Sequence, residues 1–353
     1  MKYSAGHIFL SLFLRCLLIH NTFSPEPEAY VNEVIPPSAL DHQSLKNTTI
    51  LTRYNLLVIF IFDYLRASGT LAGLAIGDAL GAPLECLPPK KKAVMDMISG
   101  GVHCMDSGSI TDDTLQALAI MDSLIQNNGF YIDDVAVRLL ESYLDNRHFF
   151  GPTSSKVFDD MLKGRHYLSS SKEIYESGGG RSNGSVMRGA PIGIFFSPEK
   201  VRYYSILCSQ ITHYNPVACE CSAFFNGMIS RLCRGKERSE AYFESLNECR
   251  NSEVIKRLSC PKKYDLVPSI DALDATHCAA SVFIKSSSFE SALISGINLG
   301  GDADTVGALC GALAGAYWGF DAIPKKWIVG LKDIEKIEYF FSGLYELSDD
   351  LSG

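Results

Sequence analysis

Apolar residues recur at helical spacing along most of the chain from about residue 63 onward. Leu65, Leu71 and Leu74 lie on one face of a first predicted helix, which ends at Gly81, just before Pro83. No alternating run of apolar and polar residues is long enough to predict a sheet. The pattern predicts an all-α fold, a single-domain orthogonal helical bundle, with further helices over residues 113–126, 131–145, 154–163, 185–196, 199–211, 216–234, 239–249, 271–285, 288–297, 304–318 and 324–331.

A glycine stripe marks the last long helix of this pattern. Gly307, Gly311, Gly315 and Gly319 recur every four residues. Glycine inside a helix costs about 0.5 to 1 kcal/mol relative to alanine, so the stripe predicts that another backbone packs closely against it. A membrane dimerisation face is the alternative. The apolar stretch 306–320 is shorter than the roughly 20 residues that cross a bilayer, which favours a buried core helix.

Two acidic clusters occur where predicted helices begin. One runs from Thr111 to Asp113 and the other from Asp302 to Thr305. Neighbouring side chains on a helix are about 100° apart, so three consecutive ligands converge only at a helix start, where Thr and Asp are favoured. Ordinary helix capping is the alternative. We predict that both starts direct oxygen ligands into one space, with the candidate ligands Thr111, Asp112, Asp113, Asp302, Asp304 and Thr305.

The ligand chemistry predicts the type of cation. Hard oxygen ligands without a nearby Cys or His select Mg²⁺, Mn²⁺ or Ca²⁺ over zinc or copper. Carboxylates packed this closely repel one another and raise their own pKa values unless cations compensate them. Two divalent ions nearly balance the charge of such a group. The sequence therefore predicts two divalent cations, Mg²⁺ or Mn²⁺.

Size and charge limit the possible partners. The chain has 353 residues, of which 46% are hydrophobic, enough for one large core. Its formal net charge of −8 lacks the basic surface that nucleic acid or an anionic membrane requires. We expect no nucleic-acid partner and no stable membrane association. An anionic substrate must be held by local groups.

The cysteines predict neither a disulfide framework nor a zinc site. There are 11 of them, an odd number, and none forms a Cys-x-x-Cys motif. Most are expected to be small buried apolar residues. We therefore expect a reducing cytoplasmic setting.

Residues 1–62 differ from the rest of the chain. An apolar run over residues 8–19 resembles a signal peptide, but Arg15 interrupts it and no clear cleavage site follows. A second apolar run, from Leu56 to Phe62, is too short to cross a bilayer. We predict that residues 1–62 form a poorly ordered extension or a start-site artefact, followed by a domain over residues 63–345.

Further segments carry a family resemblance. The segments are Gly73 to Glu85, Gly178 to Pro191, Ile211 to Pro216 and Asn298 to Thr305. Together with the first acidic cluster, and in this order, they resemble the ADP-ribosylglycohydrolase family over about residues 64–340. The nearest branch is the dinitrogenase-reductase-activating one, which removes ADP-ribose from arginine. The resemblance implies an all-α fold with a binuclear metal site and a glycosidase-type hydrolase.

The same resemblance implies roles for the acidic residues. Residues 111–113 would bind one ion, Asp302 and Thr305 the other, and Asp304 would bridge the two. Glu85 becomes a further candidate as ligand, gate or acid–base group. The predicted catalytic residues are Glu85, Asp112 and Asp304. Asp78 is either a carboxylate behind the ligands or a surface residue.

A glycine-rich loop follows at residues 178–185. Its glycines permit positive φ, and a helix start near Ser185 would add its dipole to backbone N–H groups that face a phosphate. A plain flexible turn is the alternative. Arg188 pairs either with phosphate or with a structural partner. His213 either lines the ribose or adenine side or serves as a packing residue. The predicted substrate-binding residues are Gly179, Gly180, Asn183, Gly184, Ser185, Arg188 and His213.

The predicted function is metal-dependent hydrolysis of the bond that links ADP-ribose to a protein side chain, with arginine as the expected linkage. Cleavage builds positive charge on the anomeric carbon, which carboxylates stabilise, while divalent ions activate water and hold ribose hydroxyls. The expected partner is an ADP-ribosylated protein or an ADP-ribose derivative. The alternatives are a crystallin-like non-catalytic protein, an ADP-ribose-binding protein, or a hydrolase of ADP-ribosylserine or O-acetyl-ADP-ribose.

Overall fold

The computed structural model describes residues 64–332 and 334–348. The predicted extension over residues 1–62 lies outside this part. The helices are α1 (64–81), α2 (Asp112–Asn127), α3 (Ile132–Asn146), α4 (Pro152–Leu162), α5 (Tyr167–Glu176), α6 (Ala190–Phe195), α7 (Pro198–Gln210), α8 (Pro216–Cys233), α9 (Arg238–Asn247), α10 (Ser252–Ser259), α11 (Ala272–Lys285), α12 (Phe289–Ile297), α13 (Ala303–Trp318), α14 (Lys325–Gly330) and α15 (Ile334–Ser348).

The all-α prediction is confirmed for the described residues. Short 3₁₀ turns occur at Ala82–Leu84, Asn183–Ser185, Pro261–Lys263 and Phe320–Ala322. Extended pairing in this part is limited to three isolated bridges, Leu87 with Gly301, Gly100 with Met105 and Ser182 with Asp271. Two of these bridges fasten loops that border the candidate site.

The helices predicted from apolar spacing are present, and most ends agree within two residues. The exception is the helix predicted over residues 185–196, which was wrong at its start: only Ala190–Phe195 is α-helical. The main chain at Asn183 instead donates to the Ile270 carbonyl at 2.8 Å, which holds the preceding segment as a turn. The pattern missed α5, α10 and α15.

Helices α1 and α13 cross backbone against backbone. A Cβ built on Gly311 would lie 1.9 Å from the Gly73 carbonyl oxygen, and one on Gly315 would lie 1.8 Å from that of Gly69. The prediction that the glycine stripe admits a close backbone is therefore confirmed. No helix of the described residues combines the length and apolar character that crossing a membrane requires. The antiparallel crossing brings the end of α1 to the start of α13.

Helix α8 forms the centre of the core. All of its residues except Pro216 are buried, and it packs against α6, α7, α9, α11 and α13. Residues 303–316 of α13 are also buried. These two helices form a fixed support for the chain segments that carry the acidic and glycine-rich motifs.

Candidate active site

Three chain segments meet where α1 ends. A Cβ on Gly81 would lie 2.2 Å from the Ala303 carbonyl oxygen, so the last turn of α1 touches the first turn of α13. Thr111 is the extended N-cap of α2, and Asp302 is the N-cap of α13. Both acidic clusters therefore lie at helix starts, as their spacing predicts.

The structure brings the two acidic clusters together. Ligand oxygens of Glu85, Asp302 and Asp304 lie within 4.8 Å of one another. Beyond the effect of burial, the Asp302 carboxylate lies close enough to Asp113 to raise its pKa, and Asp113 in turn raises the pKa of Asp304, which joins the second cluster to the first. These residues come from three distant parts of the sequence and form one acidic site.

Asp78 lies buried behind this site. Its carboxylate accepts hydrogen bonds from the Thr111 amide at 2.9 Å, the Thr111 hydroxyl at 2.8 Å and both groups of Thr114, at 3.2 and 2.5 Å. Of the two alternatives for Asp78, the geometry favours a carboxylate behind the ligands over a surface residue. Because the Thr111 proton is given to Asp78, the lone pairs of the Thr111 oxygen remain as acceptors.

Other neutral groups hold the candidate ligands. Gln116 Nε2 donates to Asp112 Oδ2 at 2.8 Å, and Asn183 Nδ2 donates to Asp302 Oδ2 at 2.5 Å. The Thr305 amide donates to Asp304 Oδ1 at 2.9 Å. Each contact holds one oxygen of a carboxylate, and the second oxygen of that carboxylate stays available to another partner.

Burial dominates the electrostatics of the cluster. It raises the pKa values of Asp112, Asp113 and Asp304 well above their ordinary range, and neighbouring carboxylates raise them further. Burial also raises the pKa of Asp302, and it raises the pKa of Asp78 to about 6. Ionising all of these groups together is unfavourable unless cations compensate them.

The donor set fits divalent cations. Glu85 Oε2 and Asp113 Oδ1 are buried and accept no hydrogen bond from the described residues; Glu85 Oε2 lies 3.4 Å from His103 Nε2, but without hydrogen-bond geometry. A buried carboxylate oxygen without a partner is costly, and a cation removes that cost. The ligand atoms are hard oxygens, which suit Mg²⁺ or Mn²⁺.

Glu85 lies at the opening of the cluster. The main chain beside it is bound to the turn before α13: the Cys86 amide donates to the Gly301 carbonyl at 2.7 Å, and the Gly301 amide donates to the Leu87 carbonyl at 2.8 Å. Its half-buried carboxylate lies 3.4 Å from His103 Nε2. His103 is a neighbour that the sequence reasoning missed, because its segment carries no helical or motif pattern.

Two different constraints require glycine in the glycine-rich loop. Gly178 and Gly180 have φ values of 87° and 73°, as predicted. Gly184 does not have positive φ; a Cβ there would lie 2.9 Å from His213 Cε1, so space is the constraint. No α-helix begins at Ser185, so the predicted helix dipole at that position was wrong; the segment is a single 3₁₀ turn.

The side chains of the loop bind protein groups. Asn183 donates to Asp302, so it connects the loop to the acidic site. Ser185 is buried, and its hydroxyl accepts a hydrogen bond from Ser209 at 2.8 Å. Gly179 and Gly180 precede these residues in the loop. Asn183 therefore supports the loop through the hydrogen bond it donates, and Ser185 is held from behind by Ser209.

Arg188 and His213 lie behind the loop. Arg188 is fully buried and donates to Gln116 Oε1 at 2.8 Å, Thr212 Oγ1 at 2.8 Å and the Cys208 carbonyl at 3.1 Å. The geometry favours the structural alternative for Arg188, because its contacts are protein groups. His213 is also buried, and the loop residues cover its ring, which favours the packing alternative.

Known proteins agree with this architecture. The model of the ADP-ribosylglycohydrolase family matches residues 63–352. An "ADP-ribosylarginine hydrolase Tri1" of Serratia proteamaculans is 30% identical over 81% of this chain and 80% of its own length. An "ADP-ribosyl-[dinitrogen reductase] glycohydrolase" of Rhodospirillum rubrum is 28% identical over 74% and 89%, respectively.

A solved structure shares the fold. It is described as "ADP-ribosylglycohydrolase-related protein complex", with a TM-score of 0.72 and 29% sequence identity, and the match covers 81% of this chain and 99% of that one. The chain belongs to the ADP-ribosylglycohydrolase family. It is a glycosidase-type hydrolase, and the family and branch predicted from the sequence are confirmed.

Proposed function

We propose that this protein is a divalent-metal-dependent hydrolase that releases ADP-ribose from modified arginine side chains. The observation that carries the proposal is the acidic site, with two buried carboxylate oxygens that have no hydrogen-bond partner among the described residues. The activity named for the Serratia relative, an ADP-ribosylarginine hydrolase, supports arginine as the linkage.

In this proposal, two cations are held by residues of both helix starts. When bound, they supply Lewis-acid activation of water and compensate the buried negative charge. Glu85 is proposed as a further ligand or gate because its oxygen lies with those of Asp302 and Asp304. The proposed ligands at the two helix starts are Thr111, Asp112, Asp113, Asp302, Asp304 and Thr305.

The chain's own groups orient the substrate and stabilise the transition state. Carboxylates of the cluster favour the positive charge that develops on the anomeric carbon. The backbone at Gly179 and Gly180 is proposed to receive the pyrophosphate. Asn183 ties the loop to Asp302 and so holds the phosphate and ribose subsites at a fixed separation. Glu85, at the opening, is the proposed proton-exchanging carboxyl.

Cellular location is part of the same proposal. Seven of the ten cysteines in the described part of the chain are buried, as small apolar residues are, which suits a reducing compartment. We place the protein in the cytoplasm on this basis. The proposed partner is an ADP-ribosylated protein, with no nucleic acid involved.

A substrate panel tests the proposal. Purified protein is incubated with ADP-ribosylarginine, ADP-ribosylserine and O-acetyl-ADP-ribose, each with Mg²⁺, with Mn²⁺ and with EDTA. We expect metal-dependent release of ADP-ribose that is fastest from arginine. Faster release from serine or from the acetyl ester would replace the proposed linkage. ADP-ribose binding by calorimetry without release from any substrate would identify a non-catalytic binding protein.

A further inference from the structure

A chain of buried hydrogen bonds runs from Arg188 to the glycine-rich loop. Arg188 Nη2 lies 2.8 Å from Thr212 Oγ1, which in turn lies 2.8 Å from His213 Nδ1. The other ring nitrogen, Nε2, lies 2.9 Å from Ser182 Oγ. Arg188, Thr212 and His213 are at most 1% exposed, whereas Ser182 is half-buried in the loop. We refer to these four residues as the buried chain.

Arginine chemistry and the satisfaction of buried protons together set the direction of each bond in the buried chain. A guanidinium only donates, so the Thr212 oxygen accepts from Arg188. The Thr212 hydroxyl is fully buried, and His213 Nδ1, at 2.8 Å, is the acceptor within reach of its proton among the described residues, so this buried proton is satisfied only if Nδ1 accepts it. A neutral imidazole that accepts at Nδ1 carries its proton on Nε2. His213 Nε2 therefore donates to Ser182 Oγ.

The neutral state of His213 follows from its surroundings. Burial, together with the nearby Arg188 charge, lowers the pKa of His213 to about 3. The acceptor Nδ1 is thus maintained at neutral pH. The same Arg188 fixes a second polarity: its Nη1 donates to Gln116 Oε1, so the Gln116 amide nitrogen faces Asp112.

Ser182 is left with a proton to donate. Its oxygen accepts from His213, and its hydroxyl proton has one other contact among the described residues, Thr153 Oγ1 at the long distance of 3.5 Å. A hydroxyl that accepts a bond becomes a better donor, because successive hydrogen bonds polarise one another. Ser182 stands between Gly180 and Asn183, beside the loop backbone that we assign to the pyrophosphate.

We propose that Ser182 donates a hydrogen bond to a phosphate oxygen of the bound ligand, and that Arg188 is the positioning residue that fixes this polarity through Thr212 and His213. The choice of ADP-ribose as ligand rests on the proposed function. Phosphate oxygens only accept hydrogen bonds. The Ser182 hydroxyl, whose oxygen already accepts from His213, therefore favours phosphate oxygens over ligand groups that donate.

Binding measurements with matched variants test this assignment. ADP-ribose is titrated by calorimetry at saturating Mg²⁺ into the wild-type chain, Ser182→Ala, Thr212→Val, Thr212→Ser and the Ser182→Ala/Thr212→Val double variant. We expect Ser182→Ala to weaken binding about tenfold, the size of a lost hydrogen bond to a charged group. Thr212→Val should weaken binding less, and Thr212→Ser should restore it because the hydroxyl remains.

The double variant separates positioning from general damage. If Thr212 acts through Ser182, the double variant binds no more weakly than Ser182→Ala alone. Multiplied losses, or wild-type binding by Ser182→Ala, would overturn the proposal. Thermal unfolding of each variant identifies any loss that comes from misfolding, and Thr212→Ser supplies the folded comparison if Thr212→Val is unstable.

The histidine tautomer gives an independent readout. Nitrogen-15 chemical shifts of His213 should show the Nε2–H tautomer in the wild type and a mixture of tautomers in Thr212→Val. The Nδ1–H tautomer in the wild type would contradict the assigned directions of these hydrogen bonds.

The binding and tautomer measurements do not depend on turnover. A wild type that binds ADP-ribose but hydrolyses nothing defeats the proposed function and leaves the Ser182 test intact, whereas absence of ADP-ribose binding overturns the ligand assignment itself.

Discussion

At the scale of single residues, the acidic site depends on side chains that hold its candidate ligands. Gln116 and Asn183 donate to carboxylate oxygens of Asp112 and Asp302, and Asp78 accepts from Thr111. Such contacts orient ligands and tune their affinity for metal. None of these three residues was among the predicted ligands, and the sequence left the role of Asp78 open.

Gln116→Leu is expected to weaken divalent-cation binding by about 10 to 100 times, because Asp112 loses the amide that orients it. Titration calorimetry with Mn²⁺ measures the effect. Gln126→Leu, an exposed change on the same helix, is the matched control and should bind like the wild type. Equal affinities in both variants would show that Gln116 does not orient a ligand.

Asp112→Asn and Asp304→Asn are expected to abolish hydrolysis while the fold survives. Each change removes a candidate ligand, but it also removes one negative charge from a buried group of carboxylates whose pKa values are raised by burial. Turnover and thermal unfolding are measured together, with the exposed Asp145→Asn as control. Normal turnover in either variant would refute the ligand assignment.

His213 is expected to make stability depend on pH. Its pKa in the folded chain is about 3, below the ordinary value near 6.5. Between pH 3 and pH 6.5, His213 is therefore protonated in the unfolded chain but not in the folded chain. This contribution is fully present above pH 6.5 and is lost as pH falls toward 3, at about 1.4 kcal/mol per pH unit. Between pH 7 and 5 it amounts to about 2 kcal/mol.

Urea unfolding at pH 7, 6 and 5 measures this dependence in the wild type and in His213→Gln. The variant lacks the titrating ring, so its free energy of unfolding should fall less steeply as pH decreases. Parallel pH profiles for the two proteins would mean that His213 is protonated in the folded state.

At the scale of secondary-structure elements, the crossing of α1 and α13 determines where the site forms. The two helices run antiparallel, with Gly73 against Gly311 and Gly77 against Gly307. This contact continues to Gly81, where α1 meets the first turn of α13. The separation of the helices therefore sets the position of Asp304 relative to Asp78.

Gly311→Ala is expected to destabilise the protein by about 1 to 3 kcal/mol, because its Cβ would lie 1.9 Å from the Gly73 carbonyl oxygen and the backbone must move. It should also weaken metal binding, since the start of α13 moves with the helix. Chemical unfolding and Mn²⁺ titration measure both effects. Gly151→Ala is the control, because a Cβ there meets nothing within 4 Å, and it should lower the free energy of unfolding by less than about 1 kcal/mol. An equal destabilisation by both changes would contradict the packing explanation.

The elements differ in how well the sequence predicts them. Helices α8 and α13 have long apolar patterns with clear starts at Pro216 and Asp302, and their ends were predicted closely. The missed helices α5 and α10 are short, with 10 and 8 residues, and they bury only three and two residues, so few apolar positions repeat within them. Tertiary contacts decide whether such segments become helical.

At the scale of the whole molecule, cation binding and folding should be linked. The acidic site joins α1, α2 and α13 with the loop at Asn183, so an ion held there connects distant parts of the chain. A ligand that binds only the folded state stabilises it by about 2.7 kcal/mol at 100 times its dissociation constant.

The unfolding temperature is therefore expected to rise with Mg²⁺ or Mn²⁺ and to fall in EDTA. Thermal unfolding across a cation series measures the linkage, with Asp304→Asn as the control that should respond weakly. A wild-type unfolding temperature that is independent of divalent cations would contradict a cation site inside the fold.

The sequence by itself determined the helical class, the glycine-lined face of α13 that packs against another backbone, and the two helix starts that carry acidic residues. These features are local, because helical spacing, capping preference and glycine periodicity act within a few turns of one segment. Family membership also followed from motifs in the sequence. Only the tertiary structure decided that Asp78 lies beneath α2, that Arg188 and His213 support the loop from behind, and that His103 lies beside Glu85. Those contacts join residues distant in the chain, and their hydrogen-bond partners and burial depend on how the packed helices meet.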